Sequence, residues 1–186
     1  MNLPFSCGFR ILALGLVMSA FISATPAARA QEKPHNLFTN PNFENGLDGW
    51  TVKNGTTAVI DPAEKRGNFP SLRIDNAAGA DSFVTQKVPV TPNSRYRITA
   101  YIKTQHVLSV QRGGKSGACI AVLGGFKSTP AFYGNKSWAK VAFDFVAGQE
   151  TEIDIGPRLG MYSGLVTGTA WYSELTMVDL GRNALR

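Results

Sequence analysis

The sequence is poor in cysteine, with only two cysteines among 186 residues. Cys7 lies within the first thirty residues, which are interpreted below as a secretory leader. Removal of this leader would leave Cys119 alone, so no disulfide could form within the chain. Cys119 lies in the apolar run 118–123 without a histidine nearby. This setting favours a buried, inert thiol over a nucleophile. We therefore expect hydrophobic packing to hold the fold together.

Several chemical motifs are also missing. The sequence contains no Walker loop, dinucleotide fingerprint, zinc-spaced histidine set or serine-centred elbow. After residue 30 it has no amphipathic pattern four helical turns long and no apolar run able to span a bilayer. Without the two basic residues of the leader, 17 basic and 13 acidic residues give a net charge of +4. That excess is too small and diffuse to predict a nucleic-acid partner.

Residues 1–30 have the pattern of a secretory signal peptide. Arg10 precedes an apolar run over residues 11–22, and Ala28 and Ala30 supply small residues before a cleavage point. The apolar run is shorter than the roughly 20 residues that span a bilayer. We predict cleavage after Ala30, secretion to the periplasm or the cell exterior, and no membrane span in the mature chain. An uncleaved anchor is the alternative.

Residues 31–186 are predicted to form one all-β domain, because short β-type segments alternate with turn signals throughout. The residues between 63 and 70, 105 and 116, and 160 and 168 are expected to be loops. Segments 138–146 and 151–159 are expected to be consecutive strands of one sheet. The predicted strands cover residues 56–60, 71–75, 83–90, 94–104, 118–123, 138–146, 151–159 and 169–180.

The strand over residues 94–104 shows the clearest alternation. Its period of two places Arg97, Tyr101 and Lys103 on one face, opposite a face that should enter the core. The polar face is either an ordinary solvated face or the floor of a site for a polar ligand. The residues expected in the core are Tyr96, Ile98, Ala100 and Ile102.

The opening stretch, residues 36–50, combines aromatic anchors with turn formers. It contains Asn40-Pro41-Asn42-Phe43-Glu44-Asn45-Gly46 followed by Gly49-Trp50. This pattern resembles the start of carbohydrate-binding modules of families 4, 9 and 22. Segments 94–103, 136–141 and 168–175 resemble later strands of the same modules. The resemblance covers about residues 36–180 and implies a β-sandwich jelly roll of the galactose-binding-like type.

The resemblance implies a secreted, non-catalytic protein that binds a poly- or oligosaccharide. A sugar ring stacks its C–H face on an aromatic ring, while its hydroxyls need polar partners. Trp50, Trp138 and Trp171 match family positions that lie mainly in the core. The excess of cations on the polar face would suit a uronic acid or another anionic glycan. The candidate ligand-binding residues are Arg97, Tyr101, Lys103, Arg158, Tyr162 and Tyr172.

The family resemblance also implies a structural calcium ion (Ca2+) near the junction of the first and last strands. Glu44 matches the opening glutamate of the family. Glu174 is the late candidate, because Ser173 stands where the family has an aspartate. Calcium bound by oxygen ligands from both chain ends would stabilise a fold without disulfides. An ordinary solvated Glu44 is the alternative.

Two other functions stay open at this point. One is a protein-interaction or assembly domain of the cell envelope. The other is a small jelly-roll polysaccharide lyase, for which His106 beside Gln105 is a candidate, although the sequence places no catalytic partner near it and so favours an ordinary exposed loop histidine. Glycoside hydrolysis needs two carboxylates facing each other across a cleft. The sequence does not pair Asp144, Glu152 and Asp154 in this way.

Overall fold

Two antiparallel β-sheets make up the part of the chain that the computed structural model describes, residues 35–53, 55–111, 116–125, 127–161 and 164–182. One sheet has four strands in the order β1-β4-β8-β6, and the other has five in the order β2-β3-β9-β5-β7. The strands are β1 (Thr51–Val52), β2 (Thr57–Arg66), β3 (Phe69–Ala80), β4 (Ser82–Pro89), β5 (Ser94–Ser109), β6 (Ala118–Val122), β7 (Gly134–Val146), β8 (Glu152–Leu159) and β9 (Val166–Arg182).

The all-β prediction is confirmed, because the described residues contain strands and turns and no helix. In the same residues, no helix is long and apolar enough to cross a membrane. The predicted signal peptide, residues 1–30, lies outside the described residues.

The core lies between the two sheets. The four residues predicted to face inward from β5 are fully or almost fully buried, which confirms the alternation. They pack in one cluster with side chains of the opposite sheet such as Val84 and Ile155. Burial of about 25 cal/mol per Å² of apolar surface supplies the main stabilising free energy of such a core.

The opening segment lies along the last strand. The Leu37 N–H donates to the Met177 carbonyl at 2.8 Å, and the Met177 N–H donates to Asn36 Oδ1 at 2.9 Å. The Leu175 N–H donates to the Pro41 carbonyl at 3.2 Å. The expectation that the two ends of the domain meet is thereby confirmed, although the segment forms turns and not a regular strand.

Two expectations about the strands were wrong. β2 and β5 extend well into segments expected to be loops, ending at Arg66 and Ser109. β7 and β8 are consecutive in the chain but belong to different sheets, because the turn around Gly148 carries the chain from one sheet to the other. Alternation of polar and apolar residues predicts a strand but not the strand with which it pairs, so it could not assign β7 and β8 to different sheets.

Cys119 lies in a small apolar cluster with Phe83 and Ala121, on which Ala131 and Met161 also pack. Its side chain is fully buried, and burial raises the pKa of its thiol to about 12. The thiolate is therefore scarce at neutral pH, and the expectation of a free, inert thiol is confirmed.

Candidate functional site

A groove of about 520 Å³ lies on the outer face of the five-stranded sheet. It crosses the strands, from Glu64 on β2, over Trp171 on β9 and Lys103 on β5, to three residues of β7. Lys103 and Trp171 are directly opposite each other in the β5–β9 register, so they form the middle of the groove. The groove is lined by Glu64, Lys103, Thr104, Gln105, His106, Asn135, Lys136, Ser137 and Trp171.

The middle of the groove is held rigidly. The Trp171 indole N–H donates to Asp61 Oδ2 at 3.0 Å, and the ring is almost fully buried. That hydrogen bond is the largest cause that lowers the pKa of Asp61, and hydrogen bonds from backbone N–H groups lower this pKa further. Asp61 is therefore ionised at neutral pH. Lys103 Nζ lies 5.2 Å from the Trp171 ring centroid and donates to Glu64 Oε2 at 2.5 Å. The groove therefore contains a fixed, mostly buried indole beside an ammonium–carboxylate pair.

A bulge in β5 brings His106 to the groove. The pairing of β5 with β9 shifts between Gln105 and Leu108, and His106 has a φ of 52°. Its backbone N–H donates to Asn135 Oδ1 at 2.7 Å. Gly168 on β9 allows this arrangement, because a Cβ there would lie 2.7 Å from the His106 carbonyl carbon. The bulge leaves the His106 side chain exposed at the surface, next to Gln105.

A second hollow of about 380 Å³ adjoins the groove, because His106 lines both. Its floor includes Thr169, whose hydroxyl donates to Asp75 Oδ1 at 2.8 Å. Leu108, which is exposed, forms part of its wall. Together the two hollows make a mixed polar and apolar surface along β5 and β9.

Residues 62–68, which we call the β2–β3 arch, border the groove at Glu64. The pairing of β2 with β3 shifts between Asp61 and Arg66, so the arch leaves the regular ladder. The Arg66 guanidinium carbon lies 3.8 Å from the centroid of the Tyr101 ring, and the guanidinium is 3.8 Å from Glu174. Arg66 therefore covers the face of Tyr101 on which a sugar was expected to stack.

The candidates on β5 share one face but not one site. Lys103 lines the groove, and Tyr101 lies beside it under Arg66. Arg97 lies six residues from Lys103, or about 20 Å along the strand, outside the groove. It donates to both carboxylate oxygens of Asp144, at 2.8 and 2.9 Å, and this hydrogen bonding raises the pKa of Arg97.

Two other candidates were placed wrongly. Tyr172 is fully buried because its position in β9 faces the core, and its hydroxyl donates to the Arg158 carbonyl at 2.7 Å. Arg158 is buried on β8 in the other sheet, where its guanidinium donates to both oxygens of Asp81 at 2.7 and 2.5 Å. Neither side chain is available to a ligand in the groove. Tyr162 lies outside the described residues.

The three carboxylates considered for hydrolysis do not form a group. Asp144 lies on β7 and hydrogen-bonds Arg97 and Arg95, which lower its pKa to about 2. Glu152 and Asp154 lie on β8 in the other sheet and contact Lys87 at 2.8 and 4.0 Å. Each carboxylate therefore has a cationic partner, as expected for structural surface charges.

The calcium ion expected from Glu44 and Glu174 stays a prediction. Glu44 is exposed, and Glu174 is half-buried next to Arg66. Across the described ranges, no three His, Cys, Asp or Glu side chains are grouped to hold a metal. A calcium ion here would therefore depend on backbone carbonyls and on displacement of the Arg66 guanidinium from Glu174.

Sequence reasoning missed most of the groove. Glu64, Asn135, Lys136 and Ser137 fell in segments interpreted as loops or strand ends, and His106 was interpreted as a loop histidine. Gly168 gave no signal of the β5 bulge, because it ends the glycine-rich segment 160–168 that was expected to be a loop. Nothing in the sequence predicted which residue the bulge would expose.

Residues 35–155 match the model of a carbohydrate-binding domain family, the one covering module families 4 and 9. This match covers more than half of the chain. The chain belongs to this family of carbohydrate-binding domains. The family resemblance of the opening stretch and of segments 94–103 and 136–141 is confirmed, whereas segment 168–175 lies outside the matched residues.

Similarities to individual proteins agree with this family. Exochitinase 1 of Streptomyces olivaceoviridis is 34% identical over 97 residues, which are 52% of this chain and 15% of the exochitinase. The match thus spans only a small part of that enzyme.

Solved carbohydrate-binding modules share the fold. A xylan-binding family 22 domain from Paenibacillus barcinonensis has a TM-score of 0.55 at 13% identity, covering 81% of this chain and 97% of that domain. A family 16 carbohydrate-binding module has a TM-score of 0.54 at 19% identity, covering 77% of this chain and 99% of that module. A family 61 module solved with β-1,4-galactotriose has a TM-score of 0.54 at 15% identity, covering 78% of this chain and 99% of that module. The jelly-roll sandwich is therefore the fold of this chain as well.

Proposed function

We propose that this chain is an exported, non-catalytic protein that binds a poly- or oligosaccharide in the groove on the five-stranded sheet. The observation that carries the proposal is the groove itself, which crosses the sheet of a carbohydrate-binding domain and collects planar polar side chains around Trp171. Sugar hydroxyls both donate and accept hydrogen bonds, so they need such a mixed set.

Polar contacts carry more of the proposed binding than stacking does. Gln105, Asn135 and Ser137 offer donors and acceptors, and Lys136 offers an exposed ammonium group. The stacking face of Tyr101 is covered by Arg66, and Trp171 is only 6% exposed, with Lys103 Nζ 5.2 Å from its ring centroid. Within the described residues, no carboxylate forms an ion pair with Lys136. An anionic sugar would therefore gain a charge-assisted hydrogen bond there.

Binding to a glycan panel tests this proposal. The purified protein is titrated with xylan, β-1,4-galactan, a soluble chitin derivative and polygalacturonate. The first three follow the names of the similar proteins, and the fourth tests the anionic alternative. We expect saturable binding of at least one glycan, without new reducing ends or an ultraviolet-absorbing product. Release of such products would contradict the non-catalytic part of the proposal.

Two lysines of β7 make a matched pair of variants. Lys136 lines the groove, whereas Lys140 is also exposed on the same strand and lies outside the groove. Lys136→Ala should weaken binding about tenfold or more, since a hydrogen bond from a charged group contributes about 1.5–3 kcal/mol. Lys140→Ala should leave the affinity unchanged. Equal effects of the two substitutions would argue against the groove as the site.

Export is proposed from residues 1–30 alone. The amino-terminal sequence of the protein recovered from the periplasm or culture medium should begin at Gln31, directly after Ala30. An intact leader on that protein would contradict the cleavage.

A further inference from the structure

We propose that Asp61 is a positioning residue of the groove, because its carboxylate holds both the middle of the groove and the β2–β3 arch. The inference rests on the proposed function, since it concerns how firmly the groove holds a glycan. Asp61 is buried and is not among the residues that line the groove. It therefore acts on a ligand only through the residues that it holds in place.

The two carboxylate oxygens of Asp61 hold different parts of the groove. Oδ1 accepts the backbone N–H groups of Ala63 and Glu64 at 3.0 and 3.1 Å, in the first part of the arch. Oδ2 accepts the indole N–H of Trp171 at 3.0 Å. Asp61 is also the last paired residue of β2 before the register shift that ends at Arg66. One side chain thus fixes the spacing between Glu64 at the border of the groove and Trp171 in its middle.

Arg73 fixes the orientation of this carboxylate. It lies directly opposite Trp171 in the β3–β9 register. Its guanidinium donates to Asp61 Oδ2 at 3.3 Å and to Asp75 Oδ2 at 2.8 Å. Asp75 in turn accepts the Thr169 hydroxyl, on the floor of the second hollow. Because both oxygens of Asp61 are held in this network, its carboxylate has little freedom to turn away from the indole.

A carboxylate suits this position, whereas an amide does not. Asp61 receives four N–H donors, two at each oxygen. A carboxylate offers only acceptors, but an asparagine amide has one acceptor oxygen and a nitrogen that donates. In Asp61→Asn that nitrogen faces donors on one side, so the amide can hold either the arch or the indole and not both. This substitution therefore changes the spacing of the groove without changing any residue that lines it.

Two substitutions of the same kind separate positioning from stability. Asp61→Asn and Asp144→Asn both alter the five-stranded sheet, and each removes a carboxylate that is bound by an arginine side chain. Asp144 lies outside the groove. We expect Asp61→Asn to weaken binding of the glycan identified in the panel about tenfold, since coupled side chains shift affinities by such factors. Asp144→Asn should keep the wild-type affinity although it lowers stability.

Hydrogen exchange gives a readout that a general loss of stability does not move. In isotope-labelled protein, the Trp171 indole resonance is identified by its absence from Trp171→Phe. In Asp61→Asn, the Trp171 indole N–H or the Glu64 backbone N–H should exchange with solvent faster than in the wild type, because one of these hydrogen bonds is lost. Other amides of β9 should exchange as before. Asp144→Asn should leave both N–H groups unchanged.

The outcomes separate this inference from the proposed function. Unchanged affinity in a folded Asp61→Asn variant, or an equal loss of affinity in Asp144→Asn, would overturn the inference and leave the proposed function standing. A loss of affinity without faster exchange at either Trp171 or Glu64 would also overturn it, since the effect would not pass through the residues that Asp61 holds. No binding of any glycan by the wild type would overturn both.

A milder variant tests the inference if Asp61→Asn does not fold. Arg73 is partly exposed and lines neither the groove nor the second hollow. Arg73→Gln removes the charged donor at Asp61 Oδ2, so the indole is held less firmly. We expect the affinity to fall about two- to tenfold, with faster exchange of the Trp171 indole N–H. Unchanged affinity in this variant would likewise overturn the inference.

Discussion

Replacing Gly168 by alanine should damage both the fold and the groove, because this glycine makes room for the β5 bulge. Gly168 has a φ of 107°, and a Cβ added there would lie 2.7 Å from the His106 carbonyl carbon and 2.8 Å from the Gln105 carbonyl oxygen. These atoms belong to the backbone, so they can move only if the bulge moves. The residues that the bulge presents to the groove would move with it.

The expected loss of stability has two parts. A non-glycine residue at positive φ costs about 1–2 kcal/mol. Overpacking against a fixed backbone adds about 1–3 kcal/mol. Gly181 separates the two parts, because it also has a positive φ, of 83°, but nothing lies within 4 Å of an added Cβ. Gly181→Ala should therefore show the first cost alone.

Thermal unfolding and glycan binding together check this reasoning. With about 2–4 °C in Tm per kcal/mol for a domain of this size, Gly168→Ala should melt about 2–12 °C below Gly181→Ala. Its affinity for the glycan identified in the panel should also fall, while Gly181→Ala binds normally. Equal melting temperatures with unchanged binding in both variants would refute the role given to the bulge.

Three further outcomes are expected. Tyr172→Phe removes the hydrogen bond from the buried hydroxyl to the Arg158 carbonyl, so the unfolding free energy should fall by about 0.5–1.5 kcal/mol with glycan affinity unchanged, as measured by denaturant titration and binding. Arg97 and Arg95 lower the pKa of Asp144 from 3.8 to about 2. The ion pairs of Asp144 with the two arginines therefore stabilise the fold fully above pH 3.8, and this stabilisation is lost as the pH falls toward 2. The Tm values of the wild type and of Asp144→Asn should converge near that lower pH. If calcium binds at Glu44, a chelator should lower the Tm of the wild type but not of Glu44→Gln; equal effects on both would contradict the site.

The strands were predictable where alternation is regular. The inward set of β5 is buried as its period of two requires, and the apolar residues of the opening segment pack as expected around Trp50. Alternation also led to a wrong prediction, because it sorts the residues of a strand into two faces but does not say which face is turned toward the core. Tyr172 and Trp171 are adjacent in β9, and the sequence does not say which of them points outward.

Sheet pairing and the groove were not predictable, because both depend on irregular backbone. Glu174, like His106, has a positive φ, and each lies at a shift in the β5–β9 register. A register shift changes which later residues face outward, so alternation read along the sequence fails after it.

The regular and irregular parts of the outer face therefore have different roles. Where β5 and β7 pair regularly, Arg97 is held by Asp144 and is not free for a ligand. Where the backbone departs from the ladder, at the His106 bulge, the β2–β3 arch and the β7 edge, the polar side chains surround a groove. Under the proposed function, substitution of the exposed side chains at these positions would change which glycan is bound at small cost in stability, whereas a substitution of Gly168 would not be small in cost. This separation would let one jelly-roll core serve many sugars, with specificity set by the bulge and the arch.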